Sequence, residues 1–187
     1  CLARNIIITA VPAGLVGFIL AGFIAETPFF SSAVVVVFTL AIVGAVMVVL
    51  EKLPKLSPME DGEKLPWWRA LIIGAAQVLA LIPGTSRSGS TIIAGRLMGL
   101  SPAQAAEYSF LASLPIMLGV TLKVLLTDTD YLIAHAGTLV VSNLAAFISG
   151  LLAVGFLMKF LSKHSLAVFG WYRIGLAVVL ATILLVQ

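Results

Sequence analysis

The sequence is poor in the residues that build disulfides, metal centres and charged binding surfaces. It contains one cysteine and two histidines, and only 10% of its 187 residues are charged. A single cysteine, Cys1, excludes an intrachain disulfide and a metal site built from cysteines. His135 and His164 lack the spacing of metal ligands, so we assign neither to a metal or to catalysis. No stretch resembles a nucleic-acid-binding site, and we expect no nucleic-acid partner.

Apolar residues are in excess instead. They make up 61% of the chain and give a mean hydropathy of +1.16, whereas a soluble domain is nearer half apolar and a quarter charged. We therefore predict an all-α polytopic membrane protein, with one membrane domain over residues 1–187. Five segments are long enough to span a bilayer, and they lie at residues 6–25, 33–50, 103–126, 138–158 and 166–185.

Residues 70–100 differ from these five segments. Two apolar runs there are each too short to cross a hydrocarbon core, which needs about 20 helical residues. Pro83-Gly84 and a hydroxyl-rich turn separate the two runs. Irregular backbone at membrane depth must be packed in protein or line a wet cavity. We therefore predict a re-entrant pair of half-helices that meet at a polar turn.

The distribution of loop lysines and arginines supports the re-entrant assignment. Residues 52–69 and the turn at 159–164 are basic, whereas the loops at 26–32 and 127–137 contain no lysine or arginine. Cytoplasmic loops carry an excess of these residues. The asymmetry holds only if the segment 70–100 enters and leaves the membrane on the same face. The pattern predicts that residues 52–69 form a cytoplasmic loop.

The turn collects groups that suit phosphate. Arg87 offers a planar fork of donors that matches phosphate oxygens, and an arginine within a membrane segment is a functional candidate. Gly84 and Gly89 are expected to permit backbone turns that bring amide groups to an anion at the start of a helix. The five hydroxyl groups of the turn belong to Thr85, Ser86, Ser88, Ser90 and Thr91.

These residues also have structural interpretations. Arg87 could instead pair with Glu107 or with backbone carbonyls, and serine hydroxyls commonly cap helices. We favour phosphate contact for Ser86 and Ser88. A serine nucleophile is disfavoured, because no histidine lies nearby in sequence to activate it.

Three more residues are candidates for supporting the site. Gln77 either faces the cavity or bonds across to another helix. Glu107 is expected to pair with Arg96 as a helix-end charge, and Arg173 to snorkel towards the bilayer interface. We interpret Glu51 as a charge at the bilayer interface. The alternative is that Glu51 is a buried partner for a cation.

Local signals predict helix ends and packing. Ser101 followed by Pro102 predicts a helix start, and Ser31 or Ser32 is expected to cap the helix at residues 33–50. A proline and several glycines in the first segment indicate close helix packing or a kink.

The segment from Pro83 to Thr91, followed by Ala105 to Leu111, resembles the bacitracin-resistance family of undecaprenyl-pyrophosphate phosphatases. Trp171-Tyr172-Arg173 fits the C-terminal pattern of that family, and the resemblance covers nearly the whole chain. It implies hydrolysis of undecaprenyl pyrophosphate to undecaprenyl phosphate and inorganic phosphate in the bacterial cytoplasmic membrane, which recycles the lipid carrier for peptidoglycan synthesis. It also implies an inverted-repeat fold with two re-entrant loops at a midplane site.

The same resemblance implies roles for individual residues. Ser86, Arg87, Ser88 and Thr91 would bind pyrophosphate, and Arg87 would be catalytic because it stabilises charge on the transferred phosphoryl group. Glu107 and Arg173 match family positions of uncertain role. The family's N-terminal Pro-x-Ser-Ser-Thr-Gly-His motif has no counterpart here. We therefore expect the chain to be the C-terminal two-thirds of a member, holding the second repeat and inactive alone.

Two other functions are compatible with the residues. A transporter or flippase of a phosphorylated lipid would also use broken helices around a polar midplane. A structural membrane subunit would have no activity, so that replacement of Arg87 would change none. The sequence leaves open whether a divalent cation, Mg²⁺ or Ca²⁺, assists, because it offers no convincing carboxylate cage. The expected partners are a polyprenyl pyrophosphate lipid and the bilayer. The oligomeric state is left open, a homo-oligomer included.

Overall fold

The computed structural model describes residues 2–52 and 65–186, and in these two ranges the regular structure is helical, without a strand. Short 3₁₀ segments at Pro28–Ser31 and Leu79–Leu81 accompany nine α-helices. The helices are α1 (Leu2–Ile19), α2 (Ala21–Glu26), α3 (Ala33–Leu50), α4 (Trp67–Val78), α5 (Arg87–Leu97), α6 (Pro102–Thr127), α7 (Thr129–Ala134), α8 (Ala136–Leu161) and α9 (Ala167–Val186).

Five of these helices, α1, α3, α6, α8 and α9, are long and apolar enough to cross a membrane. They contain 18 to 26 residues, which at a rise of 1.5 Å per residue gives lengths close to or above the roughly 30 Å of a hydrocarbon core. The predicted all-α class with five spans is thereby confirmed, and the chain is a multi-pass membrane protein.

The first predicted span is a kinked pair of helices. Helix α1 begins four residues earlier than expected and ends at Ile19, and α2 follows after Leu20. The hydrogen-bond series continues across the kink, because Leu20 N donates to Val16 O at 2.9 Å and Ile24 N donates to Leu20 O at 2.8 Å. The predicted kink therefore lies at Leu20, and α3 has the predicted bounds.

Helix α6 begins as its local sequence predicts. Ser101 Oγ accepts a hydrogen bond from Gln104 N at 3.2 Å, and Gln104 Oε1 accepts one from Ser101 N at 3.0 Å. This reciprocal capping box satisfies two backbone donors at the helix end. The expected serine cap of α3 is wrong, since Ser32 makes no side-chain capping bond and Ser31 Oγ donates to Pro28 O instead.

Helices α3 and α9 form the most closely packed pair. A Cβ atom added to Gly44 would lie 2.8 Å from Gly170 O, and one added to Gly170 would lie 2.6 Å from Gly44 O. Small residues of this kind let membrane helices approach through their backbones. The first span also packs closely, but not through its glycines. An added Cβ has nothing within 4 Å at Gly14 and Gly22 and only an ordinary contact of 3.6 Å, with Leu81 Cδ2, at Gly17, whereas one on Gly74 of α4 would lie 2.6 Å from Thr9 O.

A buried polar network joins α1 to α4 and α6. Thr9 Oγ1 lies 2.9 Å from Ala70 O and 2.7 Å from Tyr108 Oη, and Tyr108 Oη lies 3.0 Å from Asn5 O. Asn5 Nδ2 also donates to Leu65 O at the start of this region. Two hydroxyl hydrogens serve three contacts, so the network can exchange donors without leaving a buried hydroxyl unbonded. It anchors α4 against the first helix.

Helices α4 and α5 are the short pair predicted between residues 70 and 100. They contain 12 and 11 residues, so each is about 16–18 Å long and about half the thickness of a hydrocarbon core. The helices pack against each other. Their lengths agree with the re-entrant assignment, which stays a prediction. Of the predicted cytoplasmic loop at 52–69, residues 53–64 lie outside the described residues.

The second half of α6, with α7 and most of α8, packs loosely on the rest of the molecule. Large apolar side chains there are exposed, among them Leu126, Val141 and Leu152. Exposed apolar residues over two full-length helices are the surface that a lipid-facing hairpin presents. The packed part of the molecule therefore consists of α1, α3, α4, α5, α9 and the first half of α6, and it contains the polar turn.

Candidate phosphate-binding site

The turn between α4 and α5 has a backbone that its glycine makes possible. Gly84 has φ of +83°, a conformation that residues with a side chain rarely adopt. A Cβ atom at this position would lie 2.2 Å from Thr39 Oγ1 and 2.8 Å from Val36 O. Gly84 is therefore required both by its conformation and by the close approach of α3, in agreement with the predicted role of this glycine in the turn.

Ser86 begins α5 in a strained conformation. It is the one non-glycine residue with positive φ among those that the structure describes, at φ 71° and ψ 117°. Conformations of this kind cost about 1–3 kcal/mol and persist where the surroundings fix them. Ser86 Oγ accepts a hydrogen bond from Gly89 N at 3.2 Å and so caps the helix. It also lies 3.3 Å from Ser88 Oγ.

The first turn of α5 provides an anion-binding end. The series of backbone bonds starts where Ser90 N donates to Ser86 O at 3.0 Å. The N–H groups of Arg87 and Ser88 precede this bond, and such groups carry the positive end of the helix dipole. Gly89 lies within α5 and not in a turn, so the expected turn conformation at Gly89 is wrong. A Cβ there would lie 3.1 Å from Met47 Cε, so Gly89 instead leaves space for α3.

Arg87 is the charged group of this helix end. Its Nη1 atom is buried and has no hydrogen-bond partner within the described part of the chain. An arginine carries five donors, and a buried donor left unpaired is costly. The structure places no ion pair between Arg87 and Glu107 within the described residues, where Glu107 is exposed on α6. Arg87 thus retains a donor for a ligand.

The five hydroxyl groups of the turn divide into two sets. Ser86 and Ser88 line an open cleft. Thr85, Ser90 and Thr91 are buried, and Ser90 Oγ donates to Ser86 O at 3.1 Å. Thr91 Oγ1 lies 2.7 Å from Ser109 Oγ of α6 and 3.0 Å from Arg87 O. These contacts stabilise the first turn of α5, and a ligand role for the buried set stays a prediction.

Arg173 of α9 contacts the turn directly. Its Nη2 atom donates to Gly84 O at 2.5 Å and to Thr85 O at 3.1 Å. The interpretation of Arg173 as a snorkelling residue is therefore wrong, because its guanidinium points to the turn. On the other side, Thr39 Oγ1 of α3 lies 2.6 Å from Pro83 O, closer than to Val35 O and Val36 O of its own helix at 2.9 and 3.0 Å. Three successive carbonyl groups of the turn are thus bonded by the α3–α9 pair.

A cleft of about 230 Å³ opens beside the turn. Its polar part contains Ser86, Ser88 and Arg173 next to the start of α5, and the rest of its wall is largely apolar. The apolar and aromatic residues come from α3, α5, α8, α9 and the segment before α9. They are Met47, Ile92, Leu157, Leu161, Leu166, Phe169 and Tyr172. The cleft therefore joins an anion-binding end to a surface suited to hydrocarbon.

Comparison with known proteins gives the family. A family model described as bacitracin resistance protein BacA matches residues 1–179 of the chain. The chain belongs to the bacitracin-resistance family. Among curated relatives, it is 40% identical over 177 residues to an undecaprenyl-diphosphatase of Nitrosospira multiformis, 37% identical over 195 residues to one of Bordetella avium, and 40% identical over 181 residues to undecaprenyl-diphosphatase 1 of Clostridioides difficile.

These alignments cover 94%, 95% and 94% of this chain and 64%, 67% and 64% of the respective relatives. The chain thus spans about two thirds of the length of the bacitracin-resistance proteins that it matches. Family membership is carried by nearly all of its residues, the turn and the cleft included.

Two of the supporting candidates lie in contrasting environments in this family member. Gln77 is 1% exposed, and neither atom of its amide has a hydrogen-bond partner in the described structure. It therefore makes none of the predicted bonds across to another helix. Glu107 is exposed and does not pair with Arg96, whose partner is Glu51, with Arg96 Nε and Glu51 Oε1 3.5 Å apart. The alternative interpretation of Glu51, as the partner of a cation, is the one that the structure supports.

Sequence reasoning missed the residues that hold the turn from other helices. Thr39 lies in a valine-rich span, and Ser109 follows Tyr108 on the buried face of α6. Neither has a local signal, because a single hydroxyl in a span usually bonds to its own helix backbone. Within the described ranges, no group of three or more His, Cys, Asp or Glu side chains is placed to hold a metal ion.

Proposed function

We propose that this member of the bacitracin-resistance family hydrolyses undecaprenyl pyrophosphate to undecaprenyl phosphate and inorganic phosphate. The observation that carries the proposal is the start of α5, where Ser86 and Ser88 line a largely apolar cleft and the buried Nη1 of Arg87 has no partner in the described structure. The names of the relatives agree with it, since three of them are undecaprenyl-diphosphatases. The product would re-enter the lipid-carrier cycle of cell-wall synthesis.

The polar end of the cleft suits the pyrophosphate group. Phosphate oxygens accept hydrogen bonds, and the start of α5 offers the N–H groups of Arg87 and Ser88, the Arg87 guanidinium and two serine hydroxyls. In our proposal Ser86, Arg87 and Ser88 contact the pyrophosphate. Gly84 admits the backbone that presents these groups, Gly89 leaves space for Met47 of α3, and Ser90 and Thr91 hold the first turn of α5 in place.

The apolar end of the cleft suits the prenyl chain. Ile92, Leu157, Leu161 and Phe169 of α5, α8 and α9 line the same cleft as the serines of the turn. Burial of hydrocarbon is worth about 25 cal/mol per Å², so the first isoprene units would add affinity that inorganic pyrophosphate lacks. Contact with the prenyl chain would therefore distinguish a lipid pyrophosphate from a soluble pyrophosphate.

The reaction breaks the anhydride bond between the two phosphorus atoms. Water attacks the terminal phosphorus and supplies the hydroxyl group of inorganic phosphate, its second proton passes to solvent, and undecaprenyl phosphate leaves with the bridging oxygen and the electron pair of the broken P–O bond. Charge stabilisation is the main task in phosphoryl transfer. Arg87 would supply it by donating to oxygens of the transferred group.

The proposed arrangement in the membrane follows from helix length. Helices α4 and α5 would form a re-entrant hairpin that brings the turn to the interior of the bilayer, with residues 52–69 on the cytoplasmic face of the bacterial inner membrane. The five spans and the hairpin would form one membrane domain.

Release of phosphate from undecaprenyl pyrophosphate by the purified full-length protein in detergent tests the proposal. Arg87→Ala should lower kcat/KM by about 100-fold or more, the usual loss of a group that stabilises transition-state charge. Arg69→Ala is a matched control, because Arg69 Nη1 also donates to a carbonyl, Met98 O at 2.8 Å, at the other end of α5.

Equal rates in the wild type and Arg87→Ala would refute the role of Arg87. A wild-type protein that releases no phosphate but moves the labelled lipid across proteoliposomes would be a transporter instead of a hydrolase. Phosphate release and movement of the lipid across the membrane can be measured separately on one preparation of the protein.

A further inference from the structure

We infer that Thr39 and Arg173 are positioning residues, which hold the backbone of the turn in the conformation that the pyrophosphate requires. The inference rests on the proposed function for its effect on rate. Its structural basis is that residues 83, 84 and 85 each present a carbonyl group to one of these two side chains.

Both side chains come from the most closely packed helices of the molecule. Arg173 lies three residues after Gly170 on α9, and Thr39 lies five residues before Gly44 on α3. The backbones of α3 and α9 approach at these two glycines, and a Cβ on Gly44 would also lie 3.2 Å from Arg173 Cβ. The distance between the two holding groups is therefore fixed by the helix pair and not by the turn itself.

The turn needs such support because two of its residues have positive φ. Gly84 at +83° tolerates this conformation, but Ser86 at 71° does not tolerate it without help. Arg173 bonds the carbonyl groups of Gly84 and Thr85, immediately before Ser86. On the other side, Ser86 is fixed by α5 through Gly89 N and Ser90 N. The strained residue is thus held at both ends.

The same bonds set the electrostatics of the turn. A carbonyl oxygen carries partial negative charge and would repel a phosphate oxygen nearby. Thr39 Oγ1 or Arg173 Nη2 lies within hydrogen-bond distance of each of the three oxygens and offsets part of its negative charge. Nη2 of Arg173 makes both of its bonds, and its buried Nε has no partner within the described residues. The guanidinium therefore adds positive charge beside the cleft as well as holding the turn.

Conservative variants separate a positioning role from a merely structural one. Thr39→Val keeps the shape and removes the hydroxyl, while Thr39→Ser keeps the hydroxyl. We expect kcat for farnesyl pyrophosphate to fall about 10-fold in Thr39→Val and to stay within about twofold in Thr39→Ser, in line with the loss of one buried hydrogen bond. Arg173→Lys keeps the charge but replaces the planar guanidinium by an ammonium on a shorter side chain, which does not reach the position of Nη2. We expect kcat to fall about 10–100-fold.

Hydrogen exchange of the backbone amides provides a readout that does not depend on activity. In Thr39→Val and Arg173→Lys, we expect faster exchange in peptides that cover residues 83–91, with little change elsewhere. Thr121→Val and Arg69→Lys are the matched controls. Thr121 Oγ1 bonds to Met117 O within its own helix, and Arg69 donates to Met98 O away from the turn.

Unchanged kcat and unchanged exchange at residues 83–91 would overturn the inference. Faster exchange throughout the chain, equal to that in the controls, would also overturn it, because it would assign both residues to general stability. Absence of phosphate release from the wild type would instead refute the proposed function, and local exchange at the turn would still decide whether Thr39 and Arg173 position it.

Discussion

Replacing Gly84 by alanine should destabilise the protein through two separable effects. The first is conformational: a residue with a Cβ in the left-handed region costs about 1–2 kcal/mol, and Gly84 has φ of +83°. The second is steric, because the new Cβ would lie 2.2 Å from Thr39 Oγ1 and 2.8 and 2.9 Å from Val36 O and Cα. Overpacking of this kind costs about 1–3 kcal/mol. The expected loss in the free energy of unfolding is about 2–5 kcal/mol.

Thermal unfolding of the purified protein in detergent measures this loss. A change of 1 kcal/mol moves Tm by about 2–4 °C in a chain of this length, so Gly84→Ala should lower Tm by about 4–20 °C. Gly175→Ala is the control, since a Cβ at Gly175 in α9 meets nothing within 4 Å, and it should leave Tm unchanged or slightly higher. Adding Thr39→Ala to Gly84→Ala should restore only part of the loss, because the backbone of Val36 remains in the way.

Equal Tm values for Gly84→Ala and Gly175→Ala would refute the reasoning. Such a result would mean that α3 and the turn can separate at little cost, in which case the bond between Thr39 and Pro83 O could not hold the turn either.

Two further variants test the cleft and the polar network. Leu157→Trp should fill the apolar part of the cleft and raise KM for undecaprenyl pyrophosphate about 10-fold. Inhibition by inorganic pyrophosphate should stay unchanged, because that ligand needs no apolar wall. A parallel loss of inhibition would argue against separate regions for the prenyl chain and the pyrophosphate. Thr9→Val should lower the free energy of unfolding by about 1–3 kcal/mol, since it leaves Ala70 O and Tyr108 Oη short of a partner, whereas Thr121→Val, exposed on α6, should change it by about 0.5 kcal/mol or less in chemical unfolding.

Features that depend on local sequence could be predicted. The bounds of α3 follow from a long and mainly apolar run, and the start of α6 follows from Ser101, Pro102 and Gln104, whose capping contacts span three residues. Arg87 among glycines and serines identified the turn for the same reason. In each case the residues that determine the structure are neighbours in the chain, so their chemistry can be interpreted without knowledge of the packing.

Contacts between distant segments could not be predicted in this way. The bond from Thr39 to Pro83 O joins residues 44 apart, and that from Arg173 to Gly84 O joins residues 89 apart. The predicted pairing of Arg96 with Glu107 chose a nearby carboxylate, but Ala105, Tyr108 and Ser109 form the buried face of α6 and leave Glu107 outside. Which face of a helix is buried depends on its neighbours, and an apolar span gives little periodic signal of that face.

The balance of donors and acceptors at the turn indicates the chemistry of its ligand. Its acceptors are engaged, because the carbonyl groups of residues 83–85 bond to Thr39 and Arg173. Its donors include a buried Nη1 of Arg87 without a partner in the described structure and the N–H groups that precede the first bond of α5. An ionised pyrophosphate only accepts hydrogen bonds, and it would satisfy donors that the protein leaves unpaired. The same helix pair that bonds these carbonyl groups therefore also favours an anion, because the backbone and guanidinium groups left unpaired at the start of α5 are donors.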